Sequence, residues 1–566
     1  MRFAASAFFA ALLVACAPTP EQQATEQQAP VREYYGTLEP FAAEAVYFLL
    51  TDRFVDGDPA NNFPEQGGGP DTRTFDRPLQ VPGYEPANIG YLGGDFQGVL
   101  DNAAYIADMG FTAIWTTPIV DNPDEAFTGS HVPGRGPGGD KGKTGYHGYW
   151  GVNFFEVDEH LESDGLSFAD FTRRLRDEHD LKYVLDIVCN HGSPAWTMPV
   201  DQPMFGELFD ADGKLVADHE NLHPGELDDG NPLHAFFNRE PGLAELADFK
   251  EDNPDVLDYF VAAYSQWLDQ GVAAFRIDTI AFMEHAYWKG FSDRIREKRP
   301  GLFMFAEHFS FDADAIAEHT WPENGGISVL DFPGRAAMVE VFGGGASFAR
   351  LQDYLHLESG LYENPYDLMT FYDNHDMDRM DADENGFIDA HNWLFTSRGI
   401  PVVYYGSEIG FRAGTNEHTG NRDYFGQDNV EAAKSHPIRE ELARIAHLRK
   451  HSIALQRGLQ VNDRLDGDVA VFYRVYEKDG AAQTALVVLN KGDEAASVSV
   501  SRLLSAGTWR DAFMGQPFSV DSDASSLSID VPAHGVRVLF FDGAVSNPRM
   551  LQRLDELQAT ARRRTP

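Results

Sequence analysis

The hydrophobic pattern between residues 41 and 456 repeats one unit, a short apolar run followed by a longer amphipathic stretch. The apolar runs predict strands at residues 45–50, 111–116, 183–188, 272–277, 302–306, 327–330, 368–371 and 401–405. Amphipathic stretches of helical period between these runs include residues 98–109, 168–179, 256–269 and 287–296. Eight alternations of strand and helix predict an α/β fold, a parallel (β/α)8 TIM barrel whose catalytic residues follow the strand ends.

Two regions interrupt this repeat. Residues 190–252, after the third strand, are too many for a loop and carry turn signals with little helical period, which predicts an inserted subdomain. From residue 457 the pattern changes to short β runs with Gly and Asp turns, and this predicts a C-terminal antiparallel β-sandwich. The domains expected are therefore a barrel at 41–189 and 253–456, a subdomain at 190–252, a sandwich at 457–545 and a tail at 546–566.

The amino terminus has the pattern of an export signal. Residues 1–15 contain one basic residue and an apolar run too short to span a membrane, and Cys16 follows. Residues 13–16 resemble the bacterial lipobox, so we expect cleavage before Cys16 and a lipid on its thiol; an ordinary signal peptide cleaved nearby is the alternative. Residues 16–40 are rich in Pro, Gln, Ala and Glu and predict a tether. The expected location is that of an exported lipoprotein, periplasmic or tethered at the outer membrane or cell surface, and Ala17 favours the outer membrane.

The composition narrows the classes of partner. The 566 residues include 45 Lys and Arg against 89 Asp and Glu, a formal net charge of -44 that repels nucleic acid and anionic membranes. We therefore expect a neutral or cationic substrate and no nucleic-acid partner, and we expect a monomer. After Cys16 the sequence has Cys189 alone, so no internal disulfide is predicted.

The first candidate chemistry lies at the ends of the fourth and fifth strands. Arg276 and Asp278 are two residues apart, so in an extended chain their side chains point to the same side, where a guanidinium favours an ionised carboxylate. Glu307 ends the next apolar run in the same way. Two carboxyls at the ends of successive parallel strands, one ionised and one protonated, form the pair that retaining glycosidases use. The alternative is a structural Arg–Asp pair in an ordinary sheet.

Two more strand ends carry polar motifs, DIVCNH at residues 186–191 and FYDNHD at residues 371–376. The four strand ends together, in this order, resemble the alpha-amylase family (glycoside hydrolase family 13) over residues 41–545. The resemblance implies a nucleophile, a general acid and base, and a carboxylate that binds sugar hydroxyls and favours ring distortion, which are in turn Asp278, Glu307 and Asp376. It also implies substrate-binding residues in these motifs, in the segment YHGYW and in a loop near residue 420: His147, Tyr149, Trp150, His191, Arg276, His375 and Arg422.

Oxygen-rich turns predict calcium, the cofactor that we expect. The turn DGDPANN at residues 56–62 and the segment GGD at residues 93–95 resemble the first calcium site of the cyclodextrin glucanotransferase branch. The ligands expected there are Asp56, Asp58, Asn61, Asn62, Gly93 and Asp95. A second site implied by the same branch has as its ligands Asn190, Asp248 and the carbonyl of Phe282. Residues 381–389 have the spacing of an EF-hand loop and are a third candidate, although Asn392 stands where a bidentate Glu is needed.

These features predict an exported or surface-tethered alpha-amylase that cleaves alpha-1,4 bonds of starch, glycogen or maltooligosaccharides with retention. The alternatives are a maltooligosaccharide- or cyclodextrin-acting hydrolase or glucanotransferase with the same catalytic residues, and a non-catalytic starch-binding lipoprotein. Two departures from the cyclising members of the family favour a hydrolase. Ala244 replaces a bulky aromatic, and the chain ends soon after the sandwich, where those enzymes usually have two further domains. Ala281 and Phe282 replace a Lys–His pair that many family members use to bind the leaving-group sugar, and this departure leaves the choice between hydrolysis and transfer open.

Overall fold

The computed structural model describes residues 32–79, 87–130 and 141–560, with the side chain of His418 left out. The predicted signal peptide and Cys16 therefore lie outside the described residues. The chain divides into two units, Met1–Glu33 and Tyr34–Pro566, and the helices and strands of the described residues belong to the second. In the described part of the chain, no helix combines the length and the apolar character that crossing a membrane requires.

Eight parallel strands form the barrel, and all eight were predicted to within a few residues. In chain order they are Val46–Leu49, Ala113–Thr116, Lys182–Ile187, Val272–Ile277, Phe303–Ala306, Ser328–Val329, Met369–Thr370 and Ile400–Tyr404. The first strand pairs with the second and the eighth, and a parallel bridge between Leu330 and Met369 joins the sixth to the seventh. The sheet is closed, and its strands are almost wholly buried because helices cover them.

The helices follow the predicted amphipathic stretches. Phe168–His179 has the predicted bounds, since Ser167 accepts a hydrogen bond from the amide of Asp170 at its start and Asp180 ends it with a φ of 54°. The stretch predicted at 98–109 is divided into two helices at Asn102. The α-helices of the described residues are Thr51–Phe54, Phe96–Asp101, Ala103–Asp108, Phe168–His179, Pro254–Asp269, His285–Lys298, Ala313–Ala317, Phe332–Met338, Glu384–Thr396, Gly426–Ala433, Pro437–Lys450, Ile453–Arg457 and Pro548–Thr560.

The insertion after the third barrel strand shares a sheet with the loop after the second. Its hairpin, Glu207–Phe209 with Leu215–Asp218, adds to Val120–Asp121 and Asn153–Val157 in a four-stranded sheet. A second pair of short strands, His191–Pro194 and Leu246–Asp248, closes the insertion near the barrel mouth. The boundaries at 190 and 252 remain a prediction, but the shared sheet fixes the loop after strand two beside the insertion.

The C-terminal region is the predicted antiparallel β domain. Six of its strands form one sheet, and the pair Ala496–Val500 and Leu527–Val531 forms another. The six strands, in their order across the sheet, are Leu459–Asp466, Val469–Lys478, Ala481–Asn490, Gly535–Phe541, Gly507–Asp511 and Pro517–Val520. His534 links this domain to the barrel, since its Nδ1 lies 2.8 Å from Oδ2 of Asp389.

The predicted tether at 16–40 extends too far into the folded body. Tyr34 is buried and its backbone pairs with Glu477 of the C-terminal sheet, while its hydroxyl donates to Asp555 at 2.7 Å. The amide of Gly36 donates to the carbonyl of Arg457 at 2.7 Å. Residues 34–40 therefore pack against the protein, because an aromatic side chain at residue 34 has apolar surface to bury.

Candidate active site

The ends of barrel strands three, four and five meet on one buried guanidinium. Nη1 of Arg276 lies 2.8 Å from Oδ1 of Asp186 and 3.0 Å from Oδ1 of Asp278. Nη2 of Arg276 lies 2.8 Å from Oε2 of Glu307. Since the two terminal nitrogens of a guanidinium are about 2.3 Å apart, the bonded oxygens of Asp278 and Glu307 lie within about 8 Å of each other. The structure thus brings the two predicted catalytic carboxyls together.

Backbone hydrogen bonds fix these strand ends. The amide of Asp278 donates to the carbonyl of Ile187 at 2.9 Å, and the amide of Glu307 donates to the carbonyl of Ile277 at 2.8 Å. The register also pairs Arg276 with Asp186. The positions of the acidic side chains therefore follow from the parallel ladder itself, and they do not depend on loops.

Glu307 has the environment of a carboxylic acid that keeps its proton. Burial raises its pKa well above the usual value, and the pull of Arg276 in the opposite direction is outweighed by that burial together with the nearby carboxylates of Asp376, Asp278 and Asp186. Its Oε1 is buried and has no hydrogen-bond partner among the described residues. This oxygen is available to hold a proton toward a bound molecule.

Asp186 was part of a predicted motif but was not singled out as a site residue. It is fully buried, and it accepts from Nε1 of Trp115 at 3.0 Å and from the hydroxyl of Tyr149 at 2.9 Å. Burial raises its pKa to about 7, against the favourable charge of Arg276. The same strand register that placed Asp278 beside Arg276 could have identified it, because a buried guanidinium needs more than one carboxylate.

Asp376 lies in a second cluster, around the buried guanidinium of Arg422, and its own side chain is 30% exposed. Nη2 of Arg422 is 2.5 Å from Oδ1 of Asp376, and Nε2 of His375 is 3.2 Å from Oδ2 of the same carboxyl. Burial raises the pKa of Asp376, and the charge of Arg422 opposes that rise. Burial also holds the pKa of His375 well below the usual value, so this imidazole is neutral. The predicted substrate residues Arg422 and His375 therefore both contact a catalytic carboxyl.

The segment YHGYW forms an aromatic wall beside these groups. Tyr149 stacks on His375 with ring centroids 5.4 Å apart, and its amide donates to Nδ1 of His147 at 3.1 Å. Trp150 was predicted to bind substrate, but it is buried in a separate apolar cluster with Phe127 and packs on the buried side of this aromatic wall. The rings of Trp150 and His147 are nearly perpendicular, with their centroids 5.0 Å apart.

The predicted residue His191 lies at the start of the strand pair that closes the insertion. Its ring is buried, its Nδ1 is 3.3 Å from Oδ1 of Asn190, and its backbone pairs with Asp248. The structure therefore positions it through the insertion and the third strand together.

The first predicted calcium loop wraps around the carboxylate of Asp95. Oδ1 of Asp95 accepts from the amides of Gly57 at 3.1 Å and Gly98 at 2.6 Å. Oδ2 accepts from the amide of Asp58 at 2.7 Å and from Nδ2 of Asn61 at 3.4 Å. Burial raises the pKa of Asp95 to about 6 despite these donors. Hydrogen bonds to Asp95 thus join the turn at residues 56–62 to the segment at residues 93–95.

Three oxygens of this loop are left without partners. Oδ1 of Asp56, Asn61 and Asn62 are all buried and have no hydrogen-bond partner among the described residues. Nδ2 of Asn62 donates to Oδ2 of Asp56 at 2.8 Å, which turns the amide oxygen away from that carboxyl. A Cβ on Gly93, whose φ is 92°, would come within 2.4 Å of Oδ1 of Asn62. Buried, unpaired oxygens beside an obligatory glycine fit a hard cation, because a cation satisfies several oxygens at once.

The second predicted set is satisfied without a cation. Nδ2 of Asn190 donates to Oδ1 of Asp248 at 3.0 Å, and Nδ2 of Asn238 donates to Oδ2 at 2.8 Å. Phe282 has an exposed side chain, and its amide donates to the carbonyl of Thr279 at 3.0 Å. The structure brings Asn190 and Asp248 together, while the role of the Phe282 carbonyl rests on the resemblance alone.

The third candidate, residues 381–389, is not a cation loop. Asp383 accepts from the amide of Gly386 at 2.9 Å and begins the helix Glu384–Thr396. Asp389 lies inside that helix and bonds His534 instead. The EF-hand expectation is wrong because the same Asp and Gly spacing also suits a helix N-cap, and side chains on a helix point outward instead of around an ion.

One further group of metal-ligand type was not predicted. Asp158, Glu159 and His160 each offer a ligand atom within 4.8 Å of the others. Nδ1 of His160 is already 2.8 Å from Oδ1 of Asp158, and its ring stacks on Tyr91. Hydrogen bonding and packing therefore account for this arrangement.

Comparison with known proteins gives matches over both parts of the chain. The family model described as "Alpha amylase, catalytic domain" matches residues 48–202 and 231–444, and "Maltogenic Amylase, C-terminal domain" matches residues 463–538. A cyclomaltodextrin glucanotransferase of Niallia circulans is 30% identical over 493 residues, covering 84% of this chain and 63% of the relative. An alpha-amylase of the same organism is 28% identical over 518 residues, covering 88% and 90%. This chain spans about two thirds of the length of the curated glucanotransferases that it matches.

A solved structure is similar over nearly its whole length. It is described as CldA, the first cyclomaltodextrin glucanotransferase with a three-domain ABC distribution, and it is 29% identical with a TM-score of 0.72. The similarity covers 88% of this chain and 99% of that one. A glucanotransferase can therefore have three domains, so the number of domains no longer favours a hydrolase over a transferase.

Proposed function

This chain belongs to the alpha-amylase family and is an enzyme that acts on alpha-glucans, and from that premise we propose that it hydrolyses alpha-1,4 bonds with retention of configuration. The substrates proposed are starch, glycogen or maltooligosaccharides. The observation that carries the proposal is the single guanidinium of Arg276, which binds both Asp278 and Glu307. A structural Arg–Asp pair would have no use for a second, protonated carboxyl at the same point.

The proposed reaction has two displacements. A carboxylate oxygen of Asp278 attacks the anomeric carbon, the bond to the leaving sugar breaks, and the proton of Glu307 passes to the leaving oxygen. Glu307 then takes a proton from water, whose oxygen attacks the same carbon and releases Asp278. The raised pKa of Glu307 supports its role as the acid.

The remaining site residues would hold the reacting sugar. Asp376 and the neutral imidazole of His375 offer an acceptor and a donor for hydroxyls, and the ring of Tyr149 offers a face for the sugar's C–H groups. His147 and His191 are the other imidazoles proposed to bind hydroxyls. A non-catalytic starch binder is disfavoured, because burying an acid beside two other carboxylates is costly and serves no binding purpose.

A glucanotransferase is the second candidate, and the curated relatives favour it. In that reaction a sugar hydroxyl replaces water in the second displacement. Ala244 supports hydrolysis, since it stands where the cyclising enzymes have a bulky aromatic around which the glucan curls. The loss of two polar contacts on the acceptor side, at Ala281 and Phe282, leaves the choice between hydrolysis and transfer open. Separation of the products of maltoheptaose distinguishes the two: a hydrolase yields shorter chains alone, whereas a transferase also yields longer or cyclic ones.

We also propose a structural calcium ion and an exported location. The ligands proposed for calcium are those of the first loop, Asp56, Asp58, Asn61, Asn62, Gly93 and Asp95. A calcium ion there would neutralise the carboxylates and link the oxygens of the two segments. Residues 1–16 support export with a lipid on Cys16, through which the enzyme would be tethered to a membrane.

The variant Glu307→Gln tests the catalytic proposal. We expect reducing-sugar release from soluble starch to fall by about 10³-fold or more, because the amide cannot donate a proton to the leaving oxygen. Binding of maltoheptaose, measured by calorimetry, should persist. The matched control is Glu431→Gln, an exposed residue paired with Lys434, which should leave turnover unchanged. Reducing-sugar release by Glu307→Gln at the wild-type rate would refute the assignment.

A further inference from the structure

A chain of three charged side chains continues from Asp376 across the barrel mouth. Nη1 of Arg422 lies 3.0 Å from Oε1 of Glu417, and Nζ of Lys143 lies 3.6 Å from the same oxygen. We call Lys143, Glu417 and Arg422 the donor-side bridge. Arg422 joins it to the catalytic carboxyl of Asp376 at 2.5 Å.

The bridge connects loops from opposite sides of the first barrel strand. Lys143 lies in the loop after strand two, just before the YHGYW segment, and Glu417 and Arg422 lie in the loop after strand eight. Strands two and eight are the two neighbours of strand one in the sheet. The contact between Lys143 and Glu417 therefore crosses the mouth of the barrel above strand one.

The bridge is held in place by packing. The side chains of Lys143 and Arg422 are 7% and 8% exposed, and that of Glu417 is 28% exposed. Nε of Arg422 donates to the carbonyl of His375 at 2.9 Å, and its Nη1 donates to the hydroxyl of Tyr146 at 3.5 Å. An exposed ion pair opens easily, but removing a partner from a buried one leaves an uncompensated charge. The bridge is thus held in place at the barrel mouth.

The proposed chemistry of the site indicates on which side of the cleavage point the bridge lies. Glu307 protonates the leaving oxygen, so the leaving sugars lie on the side of Glu307. In the proposed reaction Asp376 binds the sugar that stays on the enzyme, and the bridge begins on Asp376. On that basis the bridge is assigned to the side of the reacting sugar that faces the non-reducing end of the glucan.

Resting on the proposed glucan cleavage, we propose that the donor-side bridge stops a glucan from extending more than one or two sugars past the cleavage point. The enzyme then cuts short products from the non-reducing ends of chains, and it does not cut within long chains. The substrate class that follows is maltooligosaccharides and the free non-reducing ends of starch. The bridge residues are specificity-determining, since they act on where the chain can lie and not on the bond that breaks.

Two maltoheptaosides test this inference, one with a free non-reducing end and one with that end capped by an ethylidene group. Chromatography follows the loss of each substrate and the length of each product. We expect the wild type to cleave the free substrate about 50-fold faster than the capped one, releasing mono- or disaccharides from the free end. In Lys143→Met and in Glu417→Gln, cleavage of the capped substrate should rise about tenfold, and longer products should appear. Glu431→Gln is again the control, and its ratio should equal that of the wild type.

Wild-type cleavage of both substrates at equal rates would overturn the inference. A wild type that discriminates, with both variants discriminating equally well, would overturn the role of the bridge. Two variants are used so that a folding defect in one, detected as a lowered melting temperature, leaves the other to decide. No cleavage of either maltoheptaoside or of starch would instead refute the proposed function itself, so the two failures are distinguishable.

Discussion

Arg276 and Arg422, two buried arginines of the active site, both form ion pairs with several carboxyls, but they lie in different structural settings. Arg276 lies within a barrel strand and bonds three carboxyls, those of Asp186, Asp278 and Glu307. Arg422 lies in the irregular loop after strand eight and bonds the carboxyls of Asp376 and Glu417. The first cluster is fixed by a parallel ladder, whereas the second depends on side chains that reach across loops.

This difference assigns different tasks to the two clusters. A ladder holds its side chains to within fractions of an ångström, which is what bond breaking requires. Loops vary among proteins that share a barrel, and they select which substrates can enter. We therefore expect changes at Arg276 to lower the rate of the chemical step, and changes at Arg422 to alter substrate choice and pH dependence with a smaller loss of rate.

The substitution Arg276→Lys tests the strand side of this comparison and should have the largest effect. A lysine offers one compact charge in place of a planar fork, so it cannot hold Asp278 and Glu307 from two nitrogens at once. We expect kcat/KM on maltoheptaose to fall by about 10³-fold. Steady-state kinetics measure the loss, and circular dichroism checks that the barrel is folded. A fall of less than about tenfold in a folded variant would show that the fork is not needed.

The substitution Arg422→Gln tests the loop side. Without the guanidinium, Asp376 keeps its partial burial and faces Glu417 uncompensated, so its pKa should rise further. Because the ionised carboxylate is the form that accepts sugar hydroxyls, activity should be lost at a higher pH on the acid side of the profile. We expect kcat/KM near neutral pH to fall about 30-fold, less than for Arg276→Lys.

The conservative variant Arg422→Lys separates a positioning role from a purely structural one. It should restore part of the acid limb, because a positive charge remains near Asp376. An acid limb that is the same in Arg422→Gln and in the wild type would contradict the role of Arg422 in keeping Asp376 ionised.

Sequence reasoning succeeded where the backbone period decides the outcome. The strand ends at Asp278 and Glu307 were predicted residue by residue, since the alternation of strands and helices fixes which residues face the barrel mouth. The contact of Lys143 with Glu417 was not predicted, because the loops after strands two and eight have no period and their partners are far apart in the chain. Arg422 was predicted as a substrate residue, but its bond to Asp376 follows from packing that a local motif does not encode.

The two oxygen-rich turns show the same limit. Residues 56–62 and residues 381–389 both have Asp, Asn and Gly at spacings that suit a cation. The second became a capped helix because Phe387 and its neighbours supply an apolar face that packs against the barrel. Local spacing alone could not separate the two, since tertiary burial decided between them.

Calcium removal is expected to affect the reaction least of all. It tests whether a bound ion holds the first calcium loop as firmly as the parallel ladder holds a strand. Exhaustive chelation should lower the melting temperature by about 5 °C, because a ligand that binds the folded state alone stabilises it by mass action. Asp56→Asn removes one charged ligand of the first loop and should abolish most of that response. Asp383→Asn changes the turn that caps a helix, and its response to chelation should match that of the wild type.

A melting temperature unmoved by chelation would mean that the buried oxygens of Asp56, Asn61 and Asn62 are satisfied by water. Packing alone would then hold the first calcium loop in place. The structural difference between ladder-fixed and loop-dependent sites would be smaller than the comparison of Arg276 with Arg422 indicates.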